Sequence, residues 1–231
     1  MTPDASWRTR ALTLTVAWVV VLGLMLLVGQ LLTGPLESSV GGWDDDVERW
    51  LADHRTGGLD TAASVGTFLA NTVFGLALGV VVAVAVSVWQ RSLRPALYVV
   101  VLLAGAFALY VACTQLVPRD RPPVRILDPG LVPDHSFPSG HTITSVVVYG
   151  GTALLLAHLA PAARRWLVVL LLVPPVVAAS RLYQGAHHPT DVLTALVLAS
   201  VWLAVVARVL LPLVEPRSTS TDEARRGSVP A

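Results

Sequence analysis

The sequence predicts an all-α fold: a polytopic membrane bundle of six transmembrane helices, with a short interfacial helix in the first outer loop. Three observations carry that expectation. Of 231 residues, 54% are hydrophobic and only 13% charged, about half the charged share of an ordinary soluble domain. The shortfall is concentrated in long apolar runs. Arginines then recur at alternate breaks between those runs, always on the same side of the chain's path.

A membrane-crossing helix needs about 20 mostly apolar residues. Six stretches supply them: Ala11–Thr33, Thr61–Trp89, Pro95–Val117, His141–Ala160, Trp166–Tyr183 and Asp191–Val214. The first follows Arg8 and Arg10, as a signal peptide would. Its apolar run is too long and lacks a small-residue cleavage site, so an uncleaved anchor is expected. Pro174-Pro175 should kink the fifth by removing backbone donors.

Between the first two stretches, Trp43, Val47, Trp50 and Leu51 recur at i, i+4, i+7 and i+8, one face of a helix. Asp44, Asp45, Glu48 and Arg49 occupy the other face. A short helix with two tryptophans suits the membrane interface, either as a brace between spans or as an aid to lipid admission.

Charge placement orients the bundle. Arg8, Arg10, Arg91, Arg94, Arg164, Arg165, Arg217, Arg225 and Arg226 all fall at one set of chain breaks. The positive-inside bias makes that side cytoplasmic, with both termini inside. Residues 1–10 then form a cytoplasmic N-terminus and 11–214 the membrane domain. The polar stretch 215–231 reads as a disordered cytoplasmic tail. A net charge of +1 implies no nucleic-acid partner. The lone cysteine, Cys113, excludes a disulfide framework and a thiolate metal cluster. There is no lysine; every basic side chain is arginine.

Polar residues gather on the opposite, outer side in three clusters: Arg119-Asp120-Arg121-Pro122, Ser136-Phe137-Pro138-Ser139-Gly140-His141, and Ser180-Arg181 with His187 and Asp191. Ionisable groups at the edge of an apolar bundle are costly and point to function. These residue types suit a phosphate ester. Arginine forks match phosphate oxygens bidentately. Ser139 and Gly140 sit where the fourth run begins, and free backbone N–H groups at a helix start bind anions. His141 and His187 titrate near neutrality and can serve as nucleophile and proton donor. Asp191 falls in the first turn after Pro189, where it either caps the helix or reaches back to orient His187. His188 reads as a cap, His135 as a loop residue near the site, and His54 and His158 as structural. Tyr183 and Gln184 shape the pocket.

Together these clusters resemble the type 2 phosphatidic acid phosphatase family, whose pattern is Lys-x6-Arg-Pro, Pro-Ser-Gly-His and Ser-Arg-x5-His-x3-Asp. The second block stands complete as Pro138-Ser139-Gly140-His141 and the third as Ser180-Arg181, His187 and Asp191. The first departs from it: Arg121-Pro122 is present, but Thr114 stands where the family has lysine. Arg119 or Arg125 could supply that charge, with Arg119 favoured as nearer to Arg121, or the Thr114 hydroxyl could bond a phosphate oxygen.

The resemblance implies a membrane phosphatase at the outer face of a bacterial plasma membrane. Arg121, Arg181, Ser139 and Gly140 would hold the phosphoryl group, His187 would attack it, Asp191 would orient His187, and His141 would protonate the leaving oxygen. No metal or other cofactor is implied, and no His-Glu-x-x-His spacing occurs. The expected partner is a lipid phosphate in the bilayer: a polyprenyl pyrophosphate first, then phosphatidylglycerol phosphate or phosphatidic acid. A phosphotransferase using the same site is one alternative, and a non-catalytic six-helix lipid-phosphate binder or transporter is another. Nothing in the sequence sets an oligomeric state.

Overall fold

The computed structural model describes residues 6–131 and 135–216. The tail beyond 216, with Arg217, Arg225 and Arg226, lies outside the described residues, as does Asp134. Every regular element described is helical. The elements are α1 (Trp7–Leu32), α2 (Gly42–Asp53), α3 (Gly57–Phe68), α4 (Thr72–Gln90), α5 (Arg94–Leu116), α6 (Gly140–Leu159), α7 (Pro161–Tyr183) and α8 (Pro189–Leu213). Six of them are long and apolar enough to cross a membrane: α1, α4, α5, α6, α7 and α8.

Caps set several of these boundaries. The Ser6 hydroxyl accepts from Thr9 N at 3.2 Å, so α1 starts at Trp7, ahead of the apolar run itself. Arg10 is therefore not a loop charge. It is buried inside α1, and its Nη1 donates to the Val209 carbonyl at 2.5 Å, near the end of α8.

The second span needs correction. The continuous run Thr61–Trp89 is two helices, and only α4 is a span. Asn71 interrupts it by accepting from Val73 N at 3.0 Å. The Leu69 carbonyl accepts from the Tyr149 hydroxyl at 2.7 Å. A tertiary contact thus satisfies a backbone group that the broken helix would leave bare.

In α7 the Pro174-Pro175 pair leaves its mark as expected. The chain approaches it through a 3-10 stretch, Val168–Leu172, and resumes as α-helix at Val173. Within α6 a π-helical stretch runs from Val146 to Gly150.

The bundle packs through small residues and buried aromatic rings. Trp202 of α8 donates to the Leu102 carbonyl at 3.0 Å, and Trp18 of α1 to the Gly105 carbonyl at 2.9 Å. A methyl group at Gly105 would lie 2.2 Å from the Trp202 ring, so only glycine lets α5 and α8 approach this closely. Val19, Leu27, Val80, Val84, Phe107 and Val197 stay exposed on the outside, as lipid-facing residues do.

Because the spans alternate in direction, the ends of α1, α5 and α7 meet the beginnings of α4, α6 and α8. That end carries all three polar clusters. Arg8, Arg91, Arg94, Arg164 and Arg165 lie at the other.

The amphipathic helix α2 forms as expected, but its faces are assigned by packing. Trp43 and Trp50 are 51% and 59% exposed, whereas Asp44 and Glu48 are wholly buried. Asp44 and Glu48 look inward, while the tryptophans and Arg49 look outward.

Candidate active site

A cavity of about 250 Å³ opens at the polar end, lined by Arg121, Asp128, Gly140, His141 and His187. Its remaining wall is largely apolar, with Leu76, Leu103, Ala106, Phe107, Tyr110 and Val147. Residues from the loop after α5, the start of α6 and the turn between α7 and α8 thus converge on one space. The two histidines singled out by the motifs share it.

Local backbone chemistry delivers each of them. His187 follows a tight turn in which Gly185 has φ +68°, a conformation that costs glycine nothing. A side chain there would also strike Val124 at 2.7 Å. Gly140 opens α6 beneath the Tyr110 ring, which a Cβ would approach to 2.9 Å.

His187 is 4% exposed, and its Nδ1 lies 2.7 Å from the Ser136 carbonyl oxygen. A carbonyl only accepts, so Nδ1 carries the proton and Nε2 keeps its lone pair. Burial, then the charges of Arg181 and Arg121, hold the His187 pKa well below its ordinary 6.5. The ring is therefore neutral at physiological pH, with a nucleophilic nitrogen.

Asp191 does not make the direct contact to His187 that its spacing suggested. Its Oδ2 accepts from the Ser136 hydroxyl at 2.5 Å and from His188 N at 3.0 Å, and its Oδ1 pairs with Arg119. It caps α8 and holds Ser136, and Ser136 in turn holds His187. The capping job is done, but the direct contact to His187 is not made, because the carboxylate oxygens are already taken.

Arg181 is fully buried in α7. Its Nη1 donates to Asp128 Oδ2 at 2.7 Å and to Gln184 Oε1 at 3.0 Å. Gln184 Oε1 also accepts from the Thr67 hydroxyl at 2.7 Å. Nε and Nη2, the opposite edge of the fork, are buried with no hydrogen-bond partner among the described residues. Burial pushes the Asp128 carboxyl up, but the Arg181 hydrogen bond and charge outweigh it and leave the pKa below its ordinary value. Asp128 is thus an ionised anchor for Arg181. Arg121 donates to the Ala186 carbonyl at 2.6 Å, next to His187 in the chain.

Ser139 is buried at the start of α6, where its hydroxyl accepts from Thr142 Oγ1 at 2.9 Å and its carbonyl from Ile143 N at 3.0 Å. It sits behind the cavity wall rather than on it. Of the three candidates for the missing lysine, Arg125 is exposed and outside the cavity lining, and Thr114 and Arg119 are both displaced. Thr114 is spent on its own helix, donating to the Val111 carbonyl at 3.0 Å. Arg119 faces away from the cavity, bound to Asp44, Thr190 and Asp191. Neither is placed to hold phosphate, because each already has nearer partners. Asp128, Thr67 and Ser136 bear on the site without having been predicted to. Of these, only Ser136 lay within a motif cluster.

The fold is similar to that of a transmembrane PAP2-type phosphatidylglycerolphosphate phosphatase from Bacillus subtilis, known from its crystal structure. The TM-score is 0.72 over 82% of this chain and 93% of that one, at 21% sequence identity. At this identity the likeness speaks for the fold alone. No curated protein matches the sequence. The family model of the PAP2 superfamily matches residues 95–214, more than half of the chain and the part holding Arg121, His141, Arg181, His187 and Asp191. This chain is an integral membrane protein of the PAP2 superfamily.

Proposed function

We propose that this protein hydrolyses a lipid phosphate or pyrophosphate through a phosphohistidine intermediate, at the extracytoplasmic face of the membrane. The observation that carries the reading is the Arg181 guanidinium. One edge is locked by Asp128 and Gln184, while the other is buried without a hydrogen-bond partner among the described residues, near enough to His187 for its charge to act there. A buried donor pair left unsatisfied is expensive, and a phosphate offers the matching pair of acceptors. The apolar wall of the same cavity suits a substrate whose tail stays in the bilayer.

In the first step Nε2 of His187 attacks phosphorus, and the bond from phosphorus to the leaving oxygen breaks. His141 gives that oxygen its proton. Water then attacks the phosphohistidine, His141 takes the water's proton, and the P–N bond breaks to release phosphate and restore His187. Arg181, Arg121 and the Gly140 amide stabilise the charge on the equatorial oxygens. Candidate substrates are polyprenyl pyrophosphate, phosphatidylglycerol phosphate and phosphatidic acid. The phosphatidylglycerolphosphate phosphatase of matching fold adds weight to the second.

The test is phosphate release by detergent-purified protein, in EDTA, across those three lipids. Wild type should release phosphate from at least one and form an acid-labile phosphoryl adduct. His187→Ala should lose turnover by about 10⁴-fold or more. Turnover surviving in that variant would refute the nucleophile assignment.

A further inference from the structure

We propose that α2 belongs to the active site: Asp44, acting through Arg119, is a positioning residue that sets Asp191 and thereby the Ser136 carbonyl orienting His187. The inference rests on the reading of His187 as nucleophile. Its ground is an unbroken chain of buried polar contacts from the first loop to the imidazole.

Asp44 Oδ2 accepts from Arg119 Nη2 at 2.6 Å and from the Thr190 hydroxyl at 2.5 Å, while Oδ1 accepts from Thr190 N at 3.1 Å. Arg119 spans two carboxylates, giving Nη2 to Asp44 and Nη1 to Asp191. Asp191 holds the Ser136 hydroxyl, and Ser136 N donates to the Arg119 carbonyl at 2.8 Å. The Ser136 carbonyl takes His187 Nδ1. Both carboxylates are wholly buried and Arg119 is 6% exposed, so water does not loosen the arrangement. Asp44 bonds α8 directly through Thr190 and indirectly through Asp191, four residues from the nucleophile, although it lies 75 positions before Arg119 in the chain. A helix serving only as an interfacial brace would be held by its apolar face. This one turns its tryptophans outward and commits a carboxylate to the site.

An Asn at position 44 would keep the shape but lose one charge and one acceptor facing Arg119. Arg119 would then pair with Asp191 alone, and Ser136 would shift. A misplacement on the order of 1 Å at a reacting group costs about 100-fold in rate. The expected result for Asp44→Asn is a kcat lower by about that factor with little change in KM, because Asp44 touches no substrate. Asp44→Glu should recover part of the loss. Asp46→Asn, on the exposed side of the same helix, should match wild type.

Dioctanoyl phosphatidic acid and farnesyl pyrophosphate in detergent micelles serve as probes. Ring ¹⁵N spectra of labelled histidine supply a readout independent of turnover. The Nδ1–H tautomer of His187 should dominate in wild type and give way to a mixture in Asp44→Asn. If that variant does not fold, Arg119→Lys keeps the charge but cannot span both carboxylates, and the same two measurements apply. Unchanged kcat and an unchanged tautomer in a folded variant overturn the proposal. His187→Ala, run alongside, separates the two claims: wild-type turnover there sinks the nucleophile reading, while its loss together with an unaffected Asp44→Asn sinks only this one.

Discussion

Glu48 lies one helical turn from Asp44, wholly buried, with neither carboxylate oxygen hydrogen-bonded among the described residues. Burial raises its pKa from 4.5 to about 8, with the nearby Asp44 and Asp191 adding to the rise and Arg55 opposing it. The group is therefore protonated in the fold at neutral pH. Since the folded pKa exceeds the unfolded one, its contribution to stability is complete below pH 4.5 and disappears as pH rises through 8. Glu48→Gln keeps a neutral side chain at every pH. Thermal unfolding in detergent should show the wild type losing stability between pH 5 and 9 relative to this variant. The variant should melt about 5 °C higher at pH 9; parallel curves for the two proteins would contradict the burial of an ionisable group there. At this scale the sequence was informative wherever a residue type has few uses. Histidines and arginines at the edge of an apolar bundle announce chemistry, and His141, His187, Arg121 and Arg181 do converge. Asp44, Glu48 and Asp128 announced nothing, because an acidic residue in a loop or on a polar helix face is ordinarily solvated.

Helix packing is decided by single contacts. Gly105 receives the Trp202 ring at a distance no side chain tolerates, while Trp18 and Trp202 both donate to carbonyls of α5. Gly105→Ala should force α5 and α8 apart and destabilise the protein by about 1–3 kcal/mol, read as a lower Tm in detergent. Turnover of the fraction that remains folded should survive, since the polar end is not involved. An Ala variant as stable as wild type would mean that the ring moves freely. Two elements escaped the sequence for related reasons. The run Thr61–Trp89 carries no charged residue, so averaged hydropathy does not see that Asn71 and Tyr149 divide it. The faces of α2 were legible as a pattern, but not which of them points inward. Amphipathic spacing is symmetric with respect to that choice.

Across the molecule, the alternation of six spans places every motif at one end and Arg8, Arg91, Arg94, Arg164 and Arg165 at the other. The proposal that the motif end is extracytoplasmic rests on the positive-inside bias. The sole native cysteine, Cys113, is fully buried, so introduced cysteines report without background. In intact bacterial cells Asp46→Cys should react with an impermeant maleimide and Arg164→Cys should not; the reverse pattern would invert the topology. Composition and run length determined the membrane class and the span count, because the bilayer demands long apolar helices whatever their partners. Motif spacing determined the family and the candidate nucleophile, because residues one or two turns apart keep their relation in any helix. Only the tertiary structure decided that Arg119 braces Asp191 instead of holding phosphate. It also decided that Ser136 stands between Asp191 and His187, and that α2 reaches the site at all. Those contacts join residues from 51 to 146 positions apart, and which partner a buried charge finds depends on how distant helices pack.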